Sequence, residues 1–187
     1  MFMAPIRPDL DSMINRIDPS LYQELSIISG PYGLRSGPAF SFLSVRTIDT
    51  PRYCNGYESH YRTGISTRTN GGQFYGRQTV FGGSSDWGYI IHYGNRVGGD
   101  YDPGGNSSQP PVPGSYKSQS FLAQLGFDLT PDSRLEFRYH RLDDTDTEYA
   151  LQFFDVDYMG ADAFSMNYTW DDPCRSGSLS LMGWYHN

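Results

Sequence analysis

The clearest pattern in the chain is a two-residue alternation between residues 118 and 141. Phe121, Ala123, Leu125, Phe127 and Leu129 occupy every second position, separated by Leu122, Gln124, Gly126 and Asp128. After Thr130-Pro131-Asp132-Ser133 the alternation resumes, with Leu135, Phe137 and Tyr139 set between Arg134, Glu136, Arg138 and His140. Side chains one apart in a strand point to opposite faces, so each segment predicts a strand with one apolar and one polar face. Pro presets φ, and Asp and Ser bond back to the backbone, so the connector is a turn.

The same unit repeats. Residues 59–68 place Tyr61, Thr63, Ile65 and Thr67 on one face and His60, Arg62, Ser66 and Arg68 on the other. Thr69-Asn70-Gly71-Gly72 predicts a hairpin turn, because Asn-Gly accepts positive φ. Residues 73–81 form a strand whose facing the pattern leaves open. Residues 86–96 put Trp87, Tyr89, Ile91 and Tyr93 on one face. Phe164, Met166, Tyr168 and Trp170 do the same over 162–171, as do Leu179, Leu181 and Tyr185 over 178–187. Connectors are expected at 69–72, 82–86, 97–117, 130–133, 142–161 and 172–177. From 82 onward they alternate short and long.

Residues 1–45 read differently. Leu10, Met13, Ile14 and Ile17 share a helical face, Asp18-Pro19 ends it, and strands follow near 21–28 and 40–45. Between these strands lies Gly30-Pro31-Tyr32-Gly33-Leu34-Arg35-Ser36-Gly37-Pro38, which permits only a sharply bent backbone. Residues 46–58 are expected to be a linker.

Composition narrows the class. Among 187 residues there are 15 Tyr, 11 Phe, 3 Trp, 21 Gly and 12 Pro, a β-rich and turn-rich profile. The net charge of −7 argues against a nucleic-acid partner. Mean hydropathy is −0.55 and no long apolar run occurs, which excludes a transmembrane helix but not a membrane barrel, whose strands dilute their hydrophobicity by alternation. Short turns at one end, longer loops at the other and aromatic residues near both strand ends are features of an outer-membrane barrel wall.

Ile27 to Pro38 resembles the end of the plug domain of a TonB-dependent outer-membrane receptor, and residues 17–24 resemble the segment leading to it. Asn70 to Arg77, Asp86 to Tyr89 and Gly126 to Asp132 resemble the first barrel strands of that family. The expected fold is therefore mainly β. A partial antiparallel transmembrane β-barrel wall of about seven strands (59–187) would follow the C-terminal part of an α/β plug domain (1–45). The resemblance implies energised uptake of a siderophore-, cobalamin- or glycan-like substrate, in contact with outer-membrane lipid. It also implies a TonB-type coupling protein in the full-length receptor, whose contact segment is not in this sequence. Neither a signal peptide nor the remaining strands is evident, so an internal portion of a receptor is expected. Two alternatives stand beside it: a secreted β-sandwich holding a carbohydrate with Tyr-rich loops, and a complete small barrel.

Candidate substrate contacts are Tyr32 and Arg35 in the Gly-Pro turn and Asp100, Tyr101 and Tyr116 in the long excursion. Asp143, Asp144, Asp146, Glu148, Asp155 and Asp157 form an acidic run without the glycine a calcium loop needs, so no metal is assigned. No Ser/His/Asp set and no Cys/His pair occurs, and no catalytic role or cofactor is expected. Cys54 and Cys174 are the only cysteines, and both fall at the short-turn end of this topology.

Overall fold

The computed structural model describes residues 18–29, 41–104, 109–149, 155–172 and 177–186. The chain is mainly β and divides into two units, Met1–Asp49 and Thr50–Asn187. The helix expected over 9–17 and the turn over 30–38 lie outside the described residues.

In the first unit a single 3₁₀ turn, Pro19–Leu21, is capped by Asp18, whose carboxylate accepts from Ser20 N at 2.8 Å. Proline suits the start of such a turn because its missing N–H has no partner there anyway. Strand β1 (Tyr22–Ser29) then pairs antiparallel with β2 (Ser41–Thr47), in a register that sets Ile27 opposite Leu43 and Leu25 opposite Val45.

The second unit is a seven-stranded antiparallel meander in which every strand pairs with its sequence neighbours. Its strands are β3 (Glu58–Arg68), β4 (Gln73–Gly83), β5 (Trp87–Gly98), β6 (Tyr116–Thr130), β7 (Ser133–Thr147), β8 (Val156–Asp171) and β9 (Ser178–His186). Among the described residues, β3 and β9 are the edges. The connectors at 84–86, 131–132 and 172–177 share one end, where Asp128 N donates to Asp86 O and Asp171 N to Asp132 O. Those at 70–72, 99–115 and 148–155 share the other, where Gly99 N donates to Gly71 O and Glu148 N to Ser115 O. Gly71 takes φ 72°, the left-handed conformation expected of the Asn-Gly turn.

Two expected loops are shorter than the sequence indicates. The 142–161 excursion is only 148–155, because β7 continues to Thr147 and β8 begins at Val156. Asp is disfavoured in strands, and its density there masks the alternation. The acids are nonetheless accommodated, because Asp143 meets Arg141 at 2.7 Å and Asp146 meets Lys117 at 2.6 Å. The connector at 97–117 likewise contracts to 99–115.

Register carries each face across the sheet. One face aligns Trp87–Phe127–Leu135–Tyr168, Tyr89–Leu125–Phe137–Met166 and Ile91–Ala123–Tyr139–Phe164. The other aligns Ile90–Gln124–Arg138–Ser165 and His92–Leu122–His140–Ala163. The polar face is the more buried one, for its apolar members Ile90 and Leu122 as well as its polar ones. Ile91, Leu125 and Met166 are 46%, 43% and 41% exposed, whereas Gln124, His140 and His92 are 1%, 2% and 0% exposed. Strand β4, whose facing the sequence leaves open, turns Phe74, Gly76, Gln78 and Val80 to the exposed face and Tyr75, Arg77, Thr79 and Phe81 to the polar one.

On the polar face, Gly88 and Gly126 are paired across β5 and β6. A Cβ at Gly88 would collide with Pro51 O, and one at Gly126 with Thr50 Oγ1. The segment Thr50–Arg52 therefore lies against the sheet over this glycine pair. Gly126→Val is expected to destabilise the fold by about 1–3 kcal/mol through overpacking, while Ala123→Val, on the exposed face of the same strand, stays within about 0.5 kcal/mol. Denaturant titration of both variants in detergent checks the difference.

Candidate functional site

Among the described residues of the second unit, the buried polar side chains of Thr79, His92, Ser120, Gln124, His140 and Asp144 gather on the polar face. At the short-connector end, Arg52 lies along Asp128, donating from Nε to Oδ2 at 2.6 Å and from Nη2 to Oδ1 at 2.9 Å. Its Nη1 donates to Thr50 Oγ1 at 3.0 Å and to Pro51 O at 3.0 Å. Arg134 reaches the same threonine, donating from Nη2 to Thr50 Oγ1 at 2.7 Å and O at 3.1 Å, and pairs with Glu136 at 3.0 Å. Two-point guanidinium–carboxylate contacts fix direction as well as distance, so the chain is held at this point on the sheet.

Midway along the face, Thr79 Oγ1 and His92 Nδ1 are hydrogen-bonded at 2.8 Å, and Arg138 Nε donates to Gln124 Oε1 at 3.2 Å. His60 stacks on Phe81 with centroids 5.6 Å apart, and the Arg62 guanidinium stands 5.9 Å from the same ring.

Towards the long-loop end the face becomes basic. Tyr75 and Arg96 are cross-strand partners, and the Arg96 guanidinium lies 4.3 Å from the Tyr75 ring centroid. Arg77, two residues on, places its guanidinium 5.6 Å from the same ring. Arg77 is flanked by glycine on both neighbouring strands, Gly64 on β3 and Gly94 on β5. On β3–β6, the polar-face positions from Arg62, Thr79, His92 and Leu122 to the long-loop end include Arg62, Arg68, Arg77 and Arg96 and no carboxylate. Asp144, buried on the same face, is the β7 partner of Ser118.

The loop above this region has its own order. Tyr101 and Val112 form an antiparallel bridge, and the Asp100 carboxylate accepts from Gly114 N at 3.2 Å. Asn70, in the β3–β4 turn, donates to Asp102 O at 3.0 Å and accepts from Asp102 N at 2.8 Å, tying the loop to the neighbouring hairpin.

The structure thus brings three of the expected contact residues into one loop and its base. Asp100 is engaged in holding the loop, Tyr101 is 43% exposed, and Tyr116 opens β6 opposite Gly98. Tyr32 and Arg35 lie outside the described residues, as does Cys174; Cys54 is an exposed thiol. The acidic run does not converge. Asp143 is on the exposed face with Arg141 and Tyr158, Asp144 is buried on the other face, and Asp146 pairs with Lys117. Among the described residues, no three acidic, Cys or His side chains come together as a metal site.

Sequence inspection passes over Tyr75, Arg77 and Arg96. Their signal is parity alone: counting in twos from the Thr79–His92 pair puts all three on the polar face.

No protein-family model, no curated protein and no solved structure matches the chain.

Asn70→Ala removes both ties to Asp102, each worth about 1 kcal/mol. The expected outcome is faster limited proteolysis within 98–104 with unchanged circular dichroism, read by mass spectrometry of the first cleavage products.

Proposed function

We propose that the second unit is a wall of an outer-membrane β-barrel of the TonB-dependent receptor type, with outer-membrane lipid against its apolar face and its polar face lining the interior. The observation that carries this reading is the inversion of burial across the sheet. A soluble two-faced sheet buries its apolar side and wets its polar side. Here Ile91, Tyr93, Leu125, Phe127, Phe164 and Met166 are all more than one-third exposed, while His92, Gln124 and His140 on the opposite face are buried. By the transfer value of about 25 cal/mol per Å² of apolar surface, such a face is costly in water and favourable in hydrocarbon.

The dimensions agree. On β6 the apolar positions run from Leu129 to Phe121, about 27 Å along a strand and about 20 Å once tilted by about 40°, near the height of a lipid-facing band. Trp87 and Trp170 stand at the short-connector margin. At the other margin the Tyr139 hydroxyl donates to Asp162 Oδ1 at 2.6 Å, and on the same face Arg141 pairs with Asp143 and Asp162. An aromatic ring with a wet hydroxyl, followed at once by ion pairs, is what the boundary between hydrocarbon and headgroups favours.

In this reading the first unit is the C-terminal part of a plug. The function is energised uptake of a siderophore-, cobalamin- or glycan-like molecule, driven through a TonB-type coupling protein. The secreted-sandwich alternative needs a second sheet over the apolar face, with a dry core between. The exposure of that face speaks against it.

The test is folding with and without detergent. The expected outcome is strand-rich circular dichroism in detergent and aggregation in buffer; a soluble, cooperatively melting protein in buffer would refute the wall reading. Leu125→Arg, at the middle of the apolar band, is expected to cost about 2–4 kcal/mol in a bilayer, whereas Leu179→Arg, near the margin, costs about 0–1 kcal/mol. Urea titration in phospholipid vesicles measures both.

A further inference from the structure

The sequence holds two Asn-Gly pairs, Asn55-Gly56 and Asn70-Gly71, and the fold places them differently. We propose that Asn70 is a modification site: its deamidation unties the 99–115 loop from the β3–β4 turn, and the docked loop guards the residue against that reaction. The site stands or falls independently of where the apolar face of the sheet lies.

The chemistry needs only water. The Gly71 main-chain nitrogen attacks the Asn70 side-chain carbonyl carbon, ammonia leaves, and a five-membered imide forms. Water then opens the imide at one carbonyl or the other, leaving aspartate or isoaspartate. The net exchange is one water taken up for one ammonia released. Glycine hinders this attack least, since no side chain flanks its nitrogen. The turn also requires that glycine. A Cβ at Gly71 would stand 2.8 Å from Gly99 O and 3.2 Å from Asp100 O, and φ there is 72°.

The loop supplies the guard. Asn70 Nδ2 donates to Asp102 O at 3.0 Å, Asn70 Oδ1 accepts from Asp102 N at 2.8 Å, and Gly99 N donates to Gly71 O at 2.7 Å. The amide must leave its bonds before Gly71 N can reach its carbon, so a local opening of the loop precedes the reaction. Asn55-Gly56 has no such guard. It stands in an exposed turn with Gly56 at φ 113°, and nothing lies within 4 Å of a Cβ there. Among the described residues no hydrogen bond ties the Asn55 amide.

The product no longer docks. Nδ2, the donor to Asp102 O, becomes a carboxylate oxygen, so two acceptors face each other where a hydrogen bond stood. The new negative charge meets a loop that already carries Asp100 and Asp102. Isoaspartate also lengthens the main chain by a methylene just before Gly71, whose carbonyl holds Gly99 N. The loop released in this way holds Asp100 and Tyr101, two of the residues expected to meet a ligand.

The test incubates the full chain at mildly alkaline pH, in detergent or in buffer, whichever keeps it folded. Two tryptic peptides are followed by mass spectrometry, Tyr53–Arg62 for Asn55 and Thr69–Arg77 for Asn70. Each deamidation adds about 1 Da. In the folded chain Asn70 is expected to convert about tenfold to hundredfold more slowly than Asn55, the span that two or three hydrogen bonds provide. In denaturant the two rates should converge. Chains converted at Asn70, and Asn70→Asp made directly, should be cleaved within 98–104 faster than the native chain, with circular dichroism unchanged. Equal rates in the folded chain overturn the proposal, as does a difference that persists in denaturant. So does an Asn70 that stays unconverted through about ten half-lives of Asn55, by which time even a hundredfold guard leaves a measurable fraction. Loop cleavage in Asn70→Asp no faster than in the native chain overturns it as well.

Discussion

The structure of the second unit depends on one constraint, the unbroken parity of its ladders. From Tyr61 opposite Val80 to Phe164 opposite Tyr185, each apolar residue of the exposed face sits across from another position of that face. A slip of one residue in any pairing would turn a whole strand over. The single register shift recorded in this sheet's ladders, between Asp128 and Thr130, falls beside the 131–132 turn, where few positions remain to be inverted. The apolar band, the polar face and the clustering of arginines at its long-loop end all follow from that register.

Parity also explains why the two ends differ. At the short-connector end the polar face is filled by matched charges, with Arg52 on Asp128 and Arg134 on Glu136 and Thr50. The glycine pair Gly88–Gly126 lets the chain cross the sheet there at close range. At the other end Arg62 stands over the Phe81 ring, and Arg77 and Arg96 over that of Tyr75.

How much of this was legible in the sequence varies with the kind of signal. The β6–β7 hairpin was readable outright, because Phe121 to Leu129 and Leu135 to Tyr139 alternate without a fault and Pro131-Asp132 marks the turn. The facing of β4 was not, since Phe74 and Tyr75 are adjacent aromatics and either could belong to an apolar face; only pairing with Val97 and Arg96 decides it. The upper parts of β7 and β8 were read as loop because local propensity disfavours Asp in strands. Ion-pair partners, Lys117 on the neighbouring strand for Asp146 and Arg141 two residues earlier on the same strand for Asp143, overrode that preference. Of the expected contacts, Asp100, Tyr101 and Tyr116 do share one loop and its base. Arg77 and Arg96 escaped notice because an arginine in a strand carries no local mark of purpose. Its meaning comes from the strands on either side, which sequence spacing alone does not bring together.

The same reasoning separates what holds the sheet from what it offers. Removing an outward apolar side chain changes the match between the sheet and its surroundings, and leaves the ladder intact. Removing an inward polar one changes a neighbour, as Gln124 does for Arg138 and Thr79 for His92. Inward positions are therefore constrained by each other at the short-connector end and in the middle of the face. Tyr75, Arg77 and Arg96 constrain one another through a single ring, against which both guanidinium groups lie, so that replacing the tyrosine would loosen two arginines at once.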